Sequence, residues 1–152
     1  MAGLRFEESH QRQMFEHPLT RTVTDMGNAR FSLLTMKPQP LHVDAHPALG
    51  LERRQRLSNS IRTLGVMIGM SVADTTLGTT MGDLGMTGAP FPKPVFHGDT
   101  PRARTKAASK RKSRSRPGAR LVPFEHECLN QRGVAVATCR RTGPTRERPM
   151  AA

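Results

Sequence analysis

The chain has 152 residues, with 24 Lys and Arg against 12 Asp and Glu, a formal net charge of +12, six Phe and no Trp or Tyr. That length allows one domain of ordinary size, whose core must come from Leu, Val, Ile, Phe and Met, the last filling irregular gaps. The basic balance points first to anionic partners such as nucleic acid, and two cysteines, Cys128 and Cys139, are too few for a disulfide framework.

The start, Met1-Ala2-Gly3-Leu4-Arg5-Phe6-Glu7-Glu8, lacks the basic-then-apolar pattern of a secretory signal. A cytoplasmic protein with reduced thiols is therefore expected. An edge strand is expected around Thr20–Val23. Thr24 or Asp25 then caps a helix running to about Leu34, with Met26, Ala29 and Leu33 at helical spacing and Leu34 beside them. Lys37-Pro38-Gln39-Pro40 breaks that helix, because proline disfavours the α conformation in the residue before it. Asp44 can cap another short helix within 44–56, with Pro47 in its first turn.

Asn59 or Ser60 caps a longer helix over 59–74. Apolar residues cover nearly every face of it after Arg62, the pattern of a buried helix. Its most apolar part, Val66 to Ala73, is far short of the ~20 residues that span a bilayer, so no membrane partner is expected. Gly78, Gly82, Gly85 and Gly88 then punctuate short apolar pieces, and Phe91–Phe96 reads as an irregular or edge strand interrupted by two prolines. Val122–Leu129 and Val134–Cys139, joined by Asn130-Gln131-Arg132-Gly133, give the clearest β-hairpin pattern. From Gly143 the prolines and charges suggest a disordered tail. The expected organisation is one domain over 1–142 and a tail over 143–152. One buried helix against an antiparallel meander is an α+β arrangement.

Two runs stand out as sources of chemistry: Lys37-Pro38-Gln39-Pro40-Leu41-His42-Val43-Asp44, and Pro94-Val95-Phe96-His97-Gly98-Asp99-Thr100. The first is similar to the Asp-x-Asn-Pro-Leu-His-x-Asp run of the MaoC-like (R)-specific enoyl-CoA hydratases. His42, Pro40, Leu41 and Asp44 match; Lys37 stands where the catalytic Asp is expected, and Gln39 where the Asn is expected. The wider context Leu34-Thr35-Met36, Leu77-Gly78-Thr79-Thr80, the run Phe91–Thr100, Asn130–Gly133 and Ala137–Arg141 resembles the branch of mesaconyl-CoA hydratases (β-methylmalyl-CoA dehydratases). Members of that branch usually carry a neutral polar residue at the position of Lys37. The resemblance covers roughly residues 3–142.

The resemblance implies a hot-dog fold, a central helix wrapped by an antiparallel sheet, at least a homodimer, and hydration or dehydration of a short branched or dicarboxylic enoyl-CoA thioester. Such chemistry needs a base for water, an acid for the α-carbon, and donors for the thioester oxygen. His42 is the proton-transfer residue on this reading. Lys37 would favour the neutral imidazole or attract a substrate carboxylate, the alternative being a solvated surface lysine. Gln39 takes the place of the family Asn. Asp44 orients His42 or caps the next helix. Asn59 and Ser60, at the start of the long helix, offer backbone N–H groups to the thioester oxygen or form a plain cap. No cofactor is expected beyond the coenzyme A of the substrate.

His42, Asp44 and His46 form His-x-Asp-x-His, but Pro47 and the absence of a further nearby ligand argue against a metal. The basic run from Arg102 to Arg120 has three readings: a solvated hairpin, attraction of coenzyme A phosphates, or non-specific nucleic-acid binding. No aromatic residue interleaves it, so bases would have no stacking platform. A catalytically inactive acyl-CoA-binding protein is the alternative to the hydratase, and a nucleic-acid-binding protein a more distant one.

Overall fold

The computed structural model describes residues 3–113 and 120–147. In chain order the elements are strand β1 (Met14–Thr20), helices α1 (Asp25–Leu34), α2 (Pro40–Val43), α3 (Ala45–Ala48) and α4 (Ser60–Thr75), then strands β2 (Gly85–Thr87), β3 (Arg102–Ala107), β4 (Arg111–Lys112), β5 (Arg120–Leu129) and β6 (Ala135–Thr145). The strands form one antiparallel sheet of order β1-β3-β5-β6-β2, with β4 beside β5. α4 lies across one face of it. This is the expected α+β, hot-dog arrangement.

Local rules account for much of this. Thr24 Oγ1 accepts from the Gly27 amide at the start of α1, and Asn59 Oδ1 accepts from the Ile61 amide at the start of α4. The β5–β6 turn is held by Asn130, whose Oδ1 accepts from Arg132 N and Val134 N, and Gly133 takes a φ of 75° that favours glycine. The main core joins Met67 and Met70 of α4 to Val23, Val95, Ala103, Cys128, Val136, Ala137 and Cys139. A smaller cluster joins Ala107, Val122 and Phe124 to Phe6 and Phe15. Burial pushes the Cys128 thiol up to about 12 and also raises Cys139. Both cysteines are free, buried fillers on adjacent strands.

Several elements differ from expectation. The first strand lies earlier than Thr20–Val23, because Met14 to Glu16 pair with Lys106 to Arg104 of β3. Val23 is instead a buried loop residue whose amide donates to Asp99 O at 2.8 Å. The expected stripe of α1 faces outward: Met26, Leu33 and Leu34 are exposed, whereas Asn28 and Ser32 are buried. α4 is not enclosed on every face, since Ile61, Gly65, Gly69 and Ala73 are exposed at every fourth position. Phe91–Phe96 forms no strand; Pro92 and Pro94 supply no amide hydrogens, and the segment contributes one bridge, Phe96 to Leu57. Within 44–56 the helix is a single turn, α3.

Residues 143–147 are also built into the sheet. β6 continues to Thr145, Arg146 N donates to Thr79 O at 2.8 Å, and Glu147 pairs with Arg120. The break expected after 142 is therefore absent, while 148–152 lie outside the described residues. The basic run is not a loose hairpin where it is described. Ala103, Thr105 and Ala107 turn inward, and Arg102, Arg104 and Lys106 on the other face pair with Glu16, Glu127 and Glu125. Lys110 stands 4.3 Å over the Phe6 ring. Arg114 and Arg116 lie outside the described residues.

The space between α4 and the sheet also holds a polar chain. Asp74 Oδ2 accepts from His17 Nδ1 at 2.7 Å, and His17 Nε2 accepts from the Thr105 hydroxyl at 2.7 Å. Thr105 Oγ1 accepts in turn from His126 Nδ1 at 2.9 Å, which leaves His126 Nε2 buried without a partner. Burial, with Arg141 and His17 nearby, lowers the His126 pKa to about 3. His126 is thus neutral in the folded chain and takes up its proton near pH 6.5 when unfolded. The stability it confers is complete above that pH and is lost as pH falls from about 6.5 toward 3. The expected loss over that window is on the order of a few kcal/mol. Urea unfolding between pH 7 and pH 4 should show this slope, and His126→Leu should flatten it.

Candidate functional site

His42 lies on α2, the one-turn helix that begins at Pro40. Pro38 and Pro40 hold the preceding residues extended, with Gln39 at φ −68° and ψ 125°, and Pro40 occupies the first helical position. This places His42 in the interior, only 5% exposed. Its Nδ1 lies 3.0 Å from Leu57 O. A carbonyl only accepts, so Nδ1 carries the hydrogen and Nε2 of the neutral ring keeps its lone pair.

His42 lines a cavity of about 280 Å³ together with Leu57, Ser58, Ser60, Thr63, Phe91, Lys93, Pro94, Val95 and Val136. Ser60 is the first residue of α4, so the cavity opens at the positive end of a 16-residue helix. The proline-rich loop is pinned there: Ser58 N donates to Val95 O at 2.7 Å. A larger cavity, of about 620 Å³, lies against the sheet and is lined by Arg104, Lys106, Glu125 and Glu127 among others. Arg104 and Lys106 pair there with Glu127 and Glu125 across the strands, and the histidine in its lining, His126, is buried with Nδ1 on Thr105 and is not at the start of a helix. We therefore take the His42 cavity as the site.

The anchor of this site is Asn28 of α1, which is fully buried. Its side-chain oxygen accepts from Asn59 N at 2.8 Å. Its two amide hydrogens are shared among His42 O at 3.0 Å, Leu57 O at 2.9 Å and His97 Nε2 at 3.0 Å. Leu57 O thus accepts from both Asn28 and His42 on its two lone pairs. His97, as acceptor, is neutral at Nε2; burial first, and then Arg56, lower its pKa.

The candidate residues separate clearly. His42 and Ser60 come together in the cavity. Asn59 is fully buried beneath it, capping α4 and donating from Nδ2 to Ser32 Oγ at 3.3 Å. Asp44 is exposed and accepts from His46 N at 2.9 Å, the capping alternative. Lys37 and Gln39 are exposed and are not among the residues lining the cavity. Lys37 is held by its backbone, which donates to Ser32 O at 2.8 Å. Sequence reasoning missed Asn28, Ser58, Thr63 and Lys93. Asn28 showed no pattern signal, since it sits off the apolar stripe of α1; Ser58 and Thr63 flank the cap of α4 and could have been found there. Among the described residues no three His, Cys, Asp or Glu converge to hold a metal.

Residues 6–123 match the family described as MaoC like domain. The chain belongs to the MaoC-like dehydratase family. Among proteins with curated functions, none matches the sequence. Several solved structures are similar to this MaoC-like chain. A monoamine oxidase regulatory protein of Archaeoglobus fulgidus shares 25% identity at a TM-score of 0.85, covering 98% of each chain. An (R)-hydratase of Pseudomonas aeruginosa shares 19% identity at a TM-score of 0.81, over 99% of this chain and 93% of its own. A double hot-dog protein of Mycobacterium tuberculosis shares 19% identity at a TM-score of 0.83, over 99% of this chain and 46% of its own. The last two establish the hot-dog fold. Among the described residues no helix is long and apolar enough to cross a membrane.

Asn28→Ala should leave the Leu57 and His42 carbonyls and the Asn59 amide short of partners. Each orphaned buried group costs about 1–3 kcal/mol. A loss of at least about 2 kcal/mol is expected, read as a lower urea midpoint at unchanged slope.

Proposed function

We propose that this MaoC-like chain is a hydro-lyase that adds water to, or removes it from, a short enoyl thioester of coenzyme A, with a branched or dicarboxylic acyl group such as mesaconyl. The observation that carries the reading is His42: buried, lining a cavity at the start of α4, with Nδ1–H committed to Leu57 O. That bond presents Nε2 as the base. In the hydration direction Nε2 takes a proton from the water that adds to the β-carbon. The electron pair moves to the α-carbon and the thioester oxygen, and the amides at the start of α4 near Ser60 hold the developing charge. Among the described residues no carboxylate lines the cavity, so on this reading the His42 imidazolium returns the proton to the α-carbon.

The absence of the family Asp favours a second reading, an acyl-CoA-binding protein without turnover. Loss of enoyl-thioester ultraviolet absorbance with mesaconyl-CoA separates the two. The hydratase reading expects turnover that falls at least about 100-fold in His42→Ala. Lys37→Asn should retain activity within about twofold, as expected of an exposed side chain outside the cavity. No turnover by the folded protein on several enoyl-CoAs would leave the binding reading.

The reading also includes at least a homodimer. The segment paired with β6 at the β2 margin of the sheet exposes Met81, Leu84, Met86 and Phe91, an apolar margin that a second copy would cover. Light scattering should give twice the chain mass or more.

A further inference from the structure

The His42 cavity is electrostatically one-sided. Apart from His42, Lys93 is the sole ionisable side chain lining it among the described residues. Behind the wall lies Arg62, 8% exposed, whose Nη1 donates to Ser58 Oγ at 3.5 Å. Ser58 and Thr63, their hydroxyl oxygens 3.3 Å apart, form the part of the wall in front of it. No carboxylate among the described residues pairs with Arg62, and burial with Arg21 nearby lowers its pKa. A guanidinium buried without a counter-ion is costly. An anion entering the cavity would offset that cost, and the positive end of α4 adds to the same field.

Lys93 is the group placed to meet such an anion directly. It stands between Pro92 and Pro94, at a bend whose backbone freedom the prolines restrict, and the loop is tied to the start of α4 through Ser58 N and Val95 O. Its position is therefore fixed while its side chain, exposed at the mouth, can reach inward. Lys93 also lines the adjoining groove, of about 390 Å³, with Glu52, Arg53 and Phe96.

We propose that Lys93, supported by the buried charge of Arg62, makes this site select enoyl thioesters whose acyl group carries a second, free carboxylate. Lys93 is then a specificity residue that binds that carboxylate and takes no part in proton transfer. The proposal rests on the hydratase reading of the His42 site. An anionic oxygen group could also come from the coenzyme A phosphates at the adjoining groove, and the test separates the two sources.

The test compares wild type, Lys93→Gln and Lys93→Arg on mesaconyl and crotonyl thioesters, each carried on coenzyme A and on N-acetylcysteamine, which has no phosphate. The expected result is that the mesaconyl-to-crotonyl ratio of kcat/KM falls about tenfold or more in Lys93→Gln on both carriers. Lys93→Arg should restore most of it. An unchanged ratio overturns the proposal. A loss equal for both acyl groups and confined to the coenzyme A thioesters overturns it in favour of phosphate binding. A wild-type protein that turns over neither acyl group defeats the hydratase reading instead, and calorimetric Kd values for the same thioesters then decide the preference. Tighter binding of mesaconyl-CoA that is lost in Lys93→Gln supports it, and equal Kd values overturn it.

Discussion

The side-chain amide of Asn28 is the joint on which the site depends. Three separate segments meet there: the loop around His97, the turn of His42, and the stretch from Leu57 to Asn59 that leads into α4. Each brings a buried backbone or ring group that needs a partner. One planar amide offers two hydrogens and an acceptor in fixed directions, which sets the positions of those partners relative to each other. Hydrophobic packing alone is non-directional and would hold the segments near one another without fixing the His42 ring. Leu57 O, which receives bonds from both Asn28 and His42, passes that order on to the tautomer of the base.

The positive charge of the chain is distributed unevenly. On the outer face of the sheet, Arg102, Arg104 and Lys106 meet Glu16, Glu127 and Glu125, and Arg120 meets Glu147. Those contacts pair Arg102, Arg104, Lys106 and Arg120 with carboxylates, while Lys110 lies over the Phe6 ring and Arg111 and Lys112 are exposed on the short strand β4. Near His42 the balance is different: Lys93 lines the cavity and Arg62 lies behind it, neither with a carboxylate among the described residues. The formal charge of +12 thus says little by itself, because which cations remain unpaired is a matter of strand register and loop placement.

Much of the fold was legible. The helix of 60–75, its Asn59 cap and the hairpin at 130–133 follow from local chemistry, and the structure keeps them. The errors share a cause. Met26, Leu33 and Leu34 form a good helical stripe, yet Asn28 and Ser32 are turned inward because buried carbonyls and amides elsewhere needed them. The tail from 143 carries a proline and charges, yet β5 supplies a long enough partner to order it through Thr145. His42, read from the motif, and Ser60, read from the cap, both line one cavity. Lys37, read from the same run, is exposed and outside the residues lining the cavity, since sequence adjacency to a histidine does not by itself bring a side chain into its cavity.

Residue chemistry over short spans determined the extended entry into His42, the capped long helix and the glycine-assisted turn. Each depends on dihedral limits and hydrogen bonds within a few positions. The tertiary structure alone decided which face of α1 is buried, which histidine nitrogen is committed, and that Lys93 lines the mouth of the cavity while Lys37 does not. Those outcomes are set where segments around residues 28, 42, 58, 93 and 136 meet. No local pattern encodes a contact between groups separated by that much chain, because its free energy exists only once the whole sheet and helix have closed around it.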